Sequence, residues 1–417
     1  MKNQSFTLVE LLIVLSLIAI LATVLIVTIN PGKIMSRGRD TQRINDLRNL
    51  EKIMDILSTE QFFNELNYAS PNIVYISLPD SSATCTSWLS DLPSLPSGWS
   101  YRCSATPTNI DGTGWIPIPF NQFPLINIAR LFIDPINKPP YYYSFVVGGS
   151  YKLTAKPETN YFSAINDGGI EPLLYEAGTN KRLSTFQSGL ILYLPFDEGG
   201  GTTAYDLSGF GNNGTLLDAS STNADGDTPP QWTTGKVGKA LSFDGVDDYV
   251  KTLIHSNYRT YYNLDPNYSH TITVWIYTTS TFPYPYSPGI AASGCHWITY
   301  GARTLSIENG KLCAQTHGFY THICSRTGNL IDGNVATGTW QFLTWTHQRG
   351  STIDKLGING NMMSFEIATS SYDTCVYGWR FGYRLYGDYF PGLIDEVRIY
   401  NRALSDAEIK ALYEATK

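Results

Sequence analysis

The side chains best suited to chemistry in this sequence are oxygen donors. Asp206, Ser208 and Asn213 share one glycine-rich loop, DLSGFGNNG (206–214), and Asp395 opens an apolar stretch near the C-terminus. Hard cations take several oxygen ligands, mostly from loops, so Asp206, Asn213 and Asp395 are a candidate calcium set. The same residue types form turns and cap strand ends, which explains them equally well. Asn223, Asp225 and Asp227 lack the spacing and the final Glu of an EF-hand loop and read as a surface loop. His270, His296, His317, His322 and His347 are scattered through expected strands as packed or surface residues. No G-x-S-x-G, H-E-x-x-H, P-loop or dinucleotide fingerprint occurs, so the chain is expected to be non-enzymatic.

Aromatic side chains are the other candidates. Tyr258, Tyr261, Tyr262, Tyr284, Tyr286, Trp379, Tyr383, Tyr386 and Tyr389 sit in turn-rich stretches. Aromatic faces there can stack on sugar rings or protein surfaces, although most tyrosines in a β-protein are packing or edge residues. Six cysteines form no C-x-x-C pair, which argues against a zinc or thioredoxin-type site. In an exported protein an even count implies disulfides. Cys85 and Cys103 bracket a Trp/Pro/Ser loop, and bridging them would contribute about 3 kcal/mol through loop-closure entropy. Cys295, Cys313, Cys324 and Cys375 leave three pairings open. Cys313 and Cys324 lie symmetrically about a possible hairpin turn at Gly318-Phe319, which would set them opposite each other.

The balance of 29 Lys+Arg against 36 Asp+Glu, a net charge of -7, gives no basic surplus for nucleic acid. Only 16% of residues are charged, while Gly (36) and Tyr (28) are abundant, as suits a β-rich extracellular protein. A length of 417 residues allows two or three domains.

These groups need elements to position them, and the first is at the N-terminus. Residues 6–29 hold one long apolar run, long enough to cross a bilayer as a helix, with Glu10 its one charge. A carboxylate within lipid costs about 3 kcal/mol and usually has a partner. The short polar leader Met1–Ser5, the aromatic Phe6 and Glu10 together resemble the type IV pilin and pseudopilin N-terminus. That resemblance implies cleavage by prepilin peptidase between Ser5 and Phe6, where Ser5 stands in place of the usual Gly. It also implies methylation of the new terminus, and pairing of Glu10 with the Phe6 ammonium of a neighbouring subunit. Lys33, Arg37, Arg39 and Arg43 follow the run while only Lys2 precedes it. The positive-inside rule alone would keep the C-terminal side in the cytosol; the pilin motif, whose export follows its leader, outweighs it.

Pro31 and Gly32 are expected to kink or interrupt the helix. Ile44, Leu47, Leu50 and Met54 then recur at helical spacing, with the interleaved charges read as a solvated face. Residues 133–156 read as two strands joined at Gly148-Gly149, preceded by TGWIPI (113–118). This combination resembles a small pilin head. The expected fold of residues 30–180 is therefore α+β, a long helix over a small antiparallel sheet, followed by a linker at 181–188.

From 189 to 417, short apolar strands alternate with turn residues, giving an all-β sandwich. Ser405 and Glu408 form an expected capping box for a terminal helix, with Leu404 and Ile409 as its staple. The combination of FDEGGGT, DLSGFGNNG, ALSFDGVDDYV and GLIDEVRIYNRALSDAEI resembles the LamG-like, concanavalin A-like jellyroll family. That resemblance implies carbohydrate or protein binding, and pairing of the first and last strands, which would draw Asp206, Asn213 and Asp395 together. The E-x-D-x-x-E cluster of glucanases with this sandwich is absent. The whole reads as a surface pilin-like subunit, minor or at the tip, anchored by its N-terminal helix. Its expected partners are other pilin subunits, prepilin peptidase and an extracellular glycan or protein. A purely structural pilin and a glycan-processing enzyme are the alternatives.

Overall fold

The computed structural model describes residues 8–9, 11–18, 31–59, 64–93, 95–96, 98–159, 161–219, 228–252, 269–282, 288–293, 303–316, 322–324, 334–348, 350–351, 353–366, 378–384 and 388–417. Residues 8–9 and 11–18 are helical, and their apolar side chains, such as Leu8 and Leu11, are exposed. Among the described residues no helix is long and apolar enough to cross a membrane. Ser5, Phe6 and Glu10 lie outside the described residues.

A 28-residue helix, Pro31–Ser58, opens the head. Pro31 and Gly32 are both helical, and residues 19–30 before them lie outside the described residues. Leu47, Leu50, Met54 and Leu57 are buried along one face at three- and four-residue spacing. They pack on a five-stranded sheet in the order Ser100–Ser104, Ile73–Pro79, Tyr143–Val147, Tyr151–Ala155, Tyr175–Ala177. The sheet is antiparallel except at one edge, where Ile73–Pro79 and Ser100–Ser104 run parallel. The strands Tyr143–Val147 and Tyr151–Ala155 form the hairpin expected around Gly148-Gly149, with Val147 opposite Tyr151. Residues 113–118 form no strand; Trp115, Ile116 and Ile118 are wedged into the helix–sheet core instead.

Arg37, Arg48, Lys52 and Asp55 are exposed, as the charge pattern leads one to expect, but one strip of the charged residues is not. Asp40, Arg43 and Asp46 are buried. The Arg43 guanidinium donates to Asp134 (2.6 and 3.0 Å), to Asp40 (2.8 Å) and to Glu158 (2.6 Å). Asp40 in turn accepts the Glu158 and Thr159 amides at 2.8 Å. That strip reads as polar because it is charged; it is buried because its partners come from segments more than ninety residues away.

The C-terminal unit is a jellyroll of two eight-stranded antiparallel sheets. In the first, Pro391–Tyr400 lies between His270–Tyr277 and Lys239–Asp244 and also pairs with Leu190–Leu194. The first and last strands therefore pair, with Val397 opposite Leu194. The second sheet places Asp248–Thr252 between Gly214–Asp218 and Arg380–Phe381. The chain turns over at Asn359-Gly360 into a two-residue hairpin, with Ile358 opposite Asn361. Both turn residues have positive φ (53° and 79°), the Asn-Gly signature of such turns. The terminal helix Asp406–Thr416 carries the expected capping box, with Ser405 and Glu408 bonded reciprocally. Leu404 and Ile409 are buried together in one cluster.

Residues 181–188, expected as a linker, are largely packed against both head and sandwich. Phe186 is buried, with its ring edge-to-face against Trp99 of the head at 4.9 Å and against Phe210 of the sandwich at 5.0 Å. Gln187 accepts from Thr154 Oγ1 (2.6 Å) and donates to the Tyr142 carbonyl (2.8 Å). Farther out, Lys156 of the head reaches Glu408 at 2.8 Å, and Arg402 donates to Glu408 as well. One hydrophobic cluster runs unbroken from Val74 and Val146 of the head to Leu194 and Ile399 of the sandwich. The mixed polarity of 181–188 concealed this, because such a segment reads as exposed until its two partners are known.

Replacing Arg43 with Met should leave the buried Asp40 and Asp134 without their cation and cost about 3–5 kcal/mol of stability. Arg39→Ala, which removes a partly exposed pair with Glu158, should cost about 1 kcal/mol or less. Urea unfolding of the full chain in detergent measures both; equal losses would contradict the assignment.

Candidate functional site

Asp206 organises its own loop completely. Its Oδ1 accepts the Tyr193 and Ser208 amides, both at 2.9 Å. Its Oδ2 accepts the Ser208 hydroxyl and the Asn212 amide, both at 2.8 Å. Four donors occupy the four lone-pair positions of a carboxylate, leaving none for a cation. Asn213 Oδ1 accepts the Asp206 amide at 2.9 Å. Asp395 points elsewhere: its Oδ2 accepts the Lys236 and Val237 amides at 2.8 and 3.0 Å and fixes the turn between Gln231–Thr234 and Lys239–Asp244. Asp206 and Asn213 thus serve one loop and Asp395 serves another turn, each with its own hydrogen-bond partners. Both oxygens of Asp206 are engaged by donors from its own loop and strand, whereas only Oδ2 of Asp395 is engaged and its Oδ1 is buried without a partner. Burial drives the Asp395 carboxyl up to about 8, against the two amide bonds and with help from the neighbouring Glu396 charge.

The carboxylates that do converge are Asp244, Asp247 and Asp248, whose ligand atoms all lie within 4.8 Å of one another. They bracket the tight turn between Lys239–Asp244 in the first sheet and Asp248–Thr252 in the second. Gly245 takes φ +84° there, and a Cβ would meet Pro391 at 2.6 Å, so only glycine fits. Asp244 Oδ1 accepts the Val246 amide at 2.8 Å, and Asp248 Oδ2 accepts the Asp244 amide at 2.9 Å. Burial pushes the Asp248 carboxyl up to about 7, and the charges of Asp244, Asp247 and Asp218 add to it.

Beside this turn lies an aromatic and basic platform. Val250 faces the core, so alternation directs Tyr249 and Lys251 to the outer side of the second sheet. Arg380 stands opposite Lys251 on the neighbouring strand. Its guanidinium lies 5.0 Å from the Tyr383 ring and 6.0 Å from Tyr249. Tyr383 in turn packs against Tyr249 (5.8 Å) and Tyr389 (5.3 Å). The Tyr389 hydroxyl is pushed up to about 12 by burial, then by Tyr383, Tyr249 and Asp247. Tyr249, Arg380 and Tyr389 are half-buried and present ring edges and a cation at the surface, while Tyr383, packed against all three, is itself buried.

Of the aromatic candidates, the structure brings Tyr383 and Tyr389 together here. Trp379 is buried in the core instead. Tyr258, Tyr261, Tyr262, Tyr284, Tyr286 and Tyr386 lie outside the described residues, as do Asn223, Asp225, Asp227, His296, His317, Cys295 and Cys375. Tyr249 and Arg380 were not among the candidates from sequence. Strand alternation around the apolar Val250 could have exposed Tyr249; nothing local marks Arg380.

Cys85 and Cys103 are joined in a disulfide, with Cα atoms 5.2 Å apart, over the sheet face that meets the sandwich. Cys313 is also disulfide-bonded, and in register it stands opposite Cys324. His270 and His347 are packed residues: His347 Nδ1 lies 2.6 Å from Asp354, and the His270 ring abuts Trp345.

Residues 244–410 match the concanavalin A-like lectin/glucanases superfamily, and residues 1–26 match the prokaryotic N-terminal methylation motif. The latter motif implies prepilin peptidase processing and assembly into a surface pilus. No curated protein matches the chain. Among solved structures, it is similar to domain 4 of AbnA, a GH43 extracellular arabinanase from Geobacillus stearothermophilus, in complex with arabinotriose. That match has 19% identity and TM-score 0.39, and covers 55% of this chain and 98% of that one. It is also similar to the binding domain of Paraclostridial mosquitocidal protein 1 (18% identity, TM-score 0.41, 54% and 52% covered). The binding domain of botulinum neurotoxin serotype D is a further match (20% identity, TM-score 0.39, 54% and 52% covered). The chain thus spans about half the length of the two toxin chains.

A carboxyl held near 8 in the fold and near 4 when unfolded keeps its proton preferentially in the folded state. Its contribution is therefore full below about pH 4 and declines as pH rises towards about 8. Asp395→Asn retains an acceptor for the turn amides and has no proton to lose. Between pH 5 and pH 8 the wild type should lose more melting temperature than this variant; parallel curves would contradict the assignment.

Proposed function

We propose that this chain is a type IV pilin-like subunit of the cell surface, in a minor or tip position, whose sandwich binds an extracellular carbohydrate or protein without turning it over. The observation that carries the reading is the union, in one chain, of an N-terminal methylation motif with a lectin-type sandwich. In this reading prepilin peptidase cuts between Ser5 and Phe6. The apolar run 6–29 serves first as a membrane anchor and then as the packing helix of the filament. Glu10 neutralises the terminal ammonium of a neighbouring subunit, which pairs a charge otherwise costly in lipid.

The minor or tip position is argued from bulk. The sandwich adds two eight-stranded sheets to the head and shares a continuous core with it. It cannot swing aside on a tether when subunits pack side by side.

The platform of Tyr249, Arg380, Tyr383 and Tyr389 is the proposed ligand surface. Its mixture of aromatic rings and a guanidinium suits sugar rings bearing acidic groups and equally an acidic protein surface.

Full chain in detergent, applied to glycan arrays and to extracellular matrix proteins, tests the reading. Tyr389→Ala or Arg380→Ala should each weaken binding roughly three- to tenfold, the scale of one aromatic or cation–π contact. Retained binding in the double variant would move the ligand off this face. Polysaccharide turnover abolished by changing one carboxylate would replace binding with catalysis. Absence of all binding, together with misassembled filaments, would make the sandwich a structural element.

A further inference from the structure

We propose that Asp244, Asp247 and Asp248 hold a divalent cation, calcium, at the corner where the chain crosses from one sheet of the sandwich to the other. This site is distinct from the Asp206 loop, where both carboxylate oxygens are engaged by donors, and from the turn where Asp395 Oδ2 accepts the Lys236 and Val237 amides.

Two independent observations support it. The first is span. Calcium binds oxygens at about 2.4 Å, so two ligands on one ion lie at most about 4.8 Å apart. The three carboxylates each offer an oxygen within that limit. The second is Asp248. Its side chain is 3% exposed, and Oδ1 is buried with no hydrogen-bond partner. A buried carboxylate oxygen without a donor is costly, and nearby like charges add to the cost. Asp218, opposite Asp248 on the adjacent strand, contributes a fourth carboxylate charge to the same corner. Turn geometry explains Asp244 Oδ1, which accepts the Val246 amide, and Asp248 Oδ2, which accepts the Asp244 amide. It does not explain Oδ1 of Asp248. A hard cation supplies what that oxygen lacks. The all-oxygen donor set selects calcium over zinc, which prefers nitrogen and sulfur.

The test uses the full chain in detergent, stripped with chelator, and calcium itself as the probe. Extracellular calcium modules bind with dissociation constants of about 0.1–1 mM. At about 10 mM calcium the wild type should therefore melt several degrees higher than in chelator. Asp248→Asn should show no such shift. In chelator it should melt at or above the wild type, because it removes an unpaired buried charge, and this separates lost binding from lost folding. Terbium, excited through tyrosine, supplies a second readout. Its emission should be displaced by calcium, fall at least tenfold in Asp247→Asn and Asp248→Asn, and persist in Asp206→Asn. A wild type indifferent to calcium, or an Asp248→Asn variant that responds as the wild type does, would overturn the proposal. Neither result depends on whether the sandwich binds a glycan.

Discussion

The structure turns on the burial of the head sheet from both sides. Every residue of Tyr143–Val147 and of Tyr151–Ala155 is buried. A small head cannot cover both faces of its sheet with one helix. Pro31–Ser58 covers the first, through Leu47, Leu50, Met54 and Leu57. The second is covered by the disulfide-closed segment around Cys85 and Cys103, by Phe186, and then by the sandwich core. Strands buried on both faces lose the alternation of polar and apolar residues, which is why YSFVV reads as a continuous apolar run. The head is thus incomplete without the sandwich, and residues 181–188 join two parts of one core.

Local chemistry was legible in the sequence, and long-range pairing was not. The capping box of Ser405 and Glu408 was legible because both partners sit within one helical turn. The hairpin at Gly148-Gly149 and the pairing of first and last strands were accessible through patterning and through the resemblance. Arg43 was misread because Asp134 and Glu158 are remote in sequence. Glu408 shows both cases at once: its capping role could be seen, whereas its ion pair with Lys156 could not.

The acidic residues teach the same lesson with opposite sign. Asp206 has the composition and loop context of a metal ligand, yet its four lone-pair positions are filled by donors from its own neighbourhood. Asp248 sits at a short turn between the two sheets and keeps a buried oxygen unsatisfied. Residue type names the candidates, but the count of donors already committed decides among them.

The absence of a tether has a mechanical meaning. In the proposed role, with the N-terminus held and the ligand at the outer sheet of the sandwich, load would pass in series through the head. A flexible connector would stretch under tension and let the sandwich reorient. Here the Trp99–Phe186–Phe210 stack and the Lys156–Glu408 pair close that degree of freedom. Pulling in that role would have to shear packed layers before any slack was released, as it would in a strut.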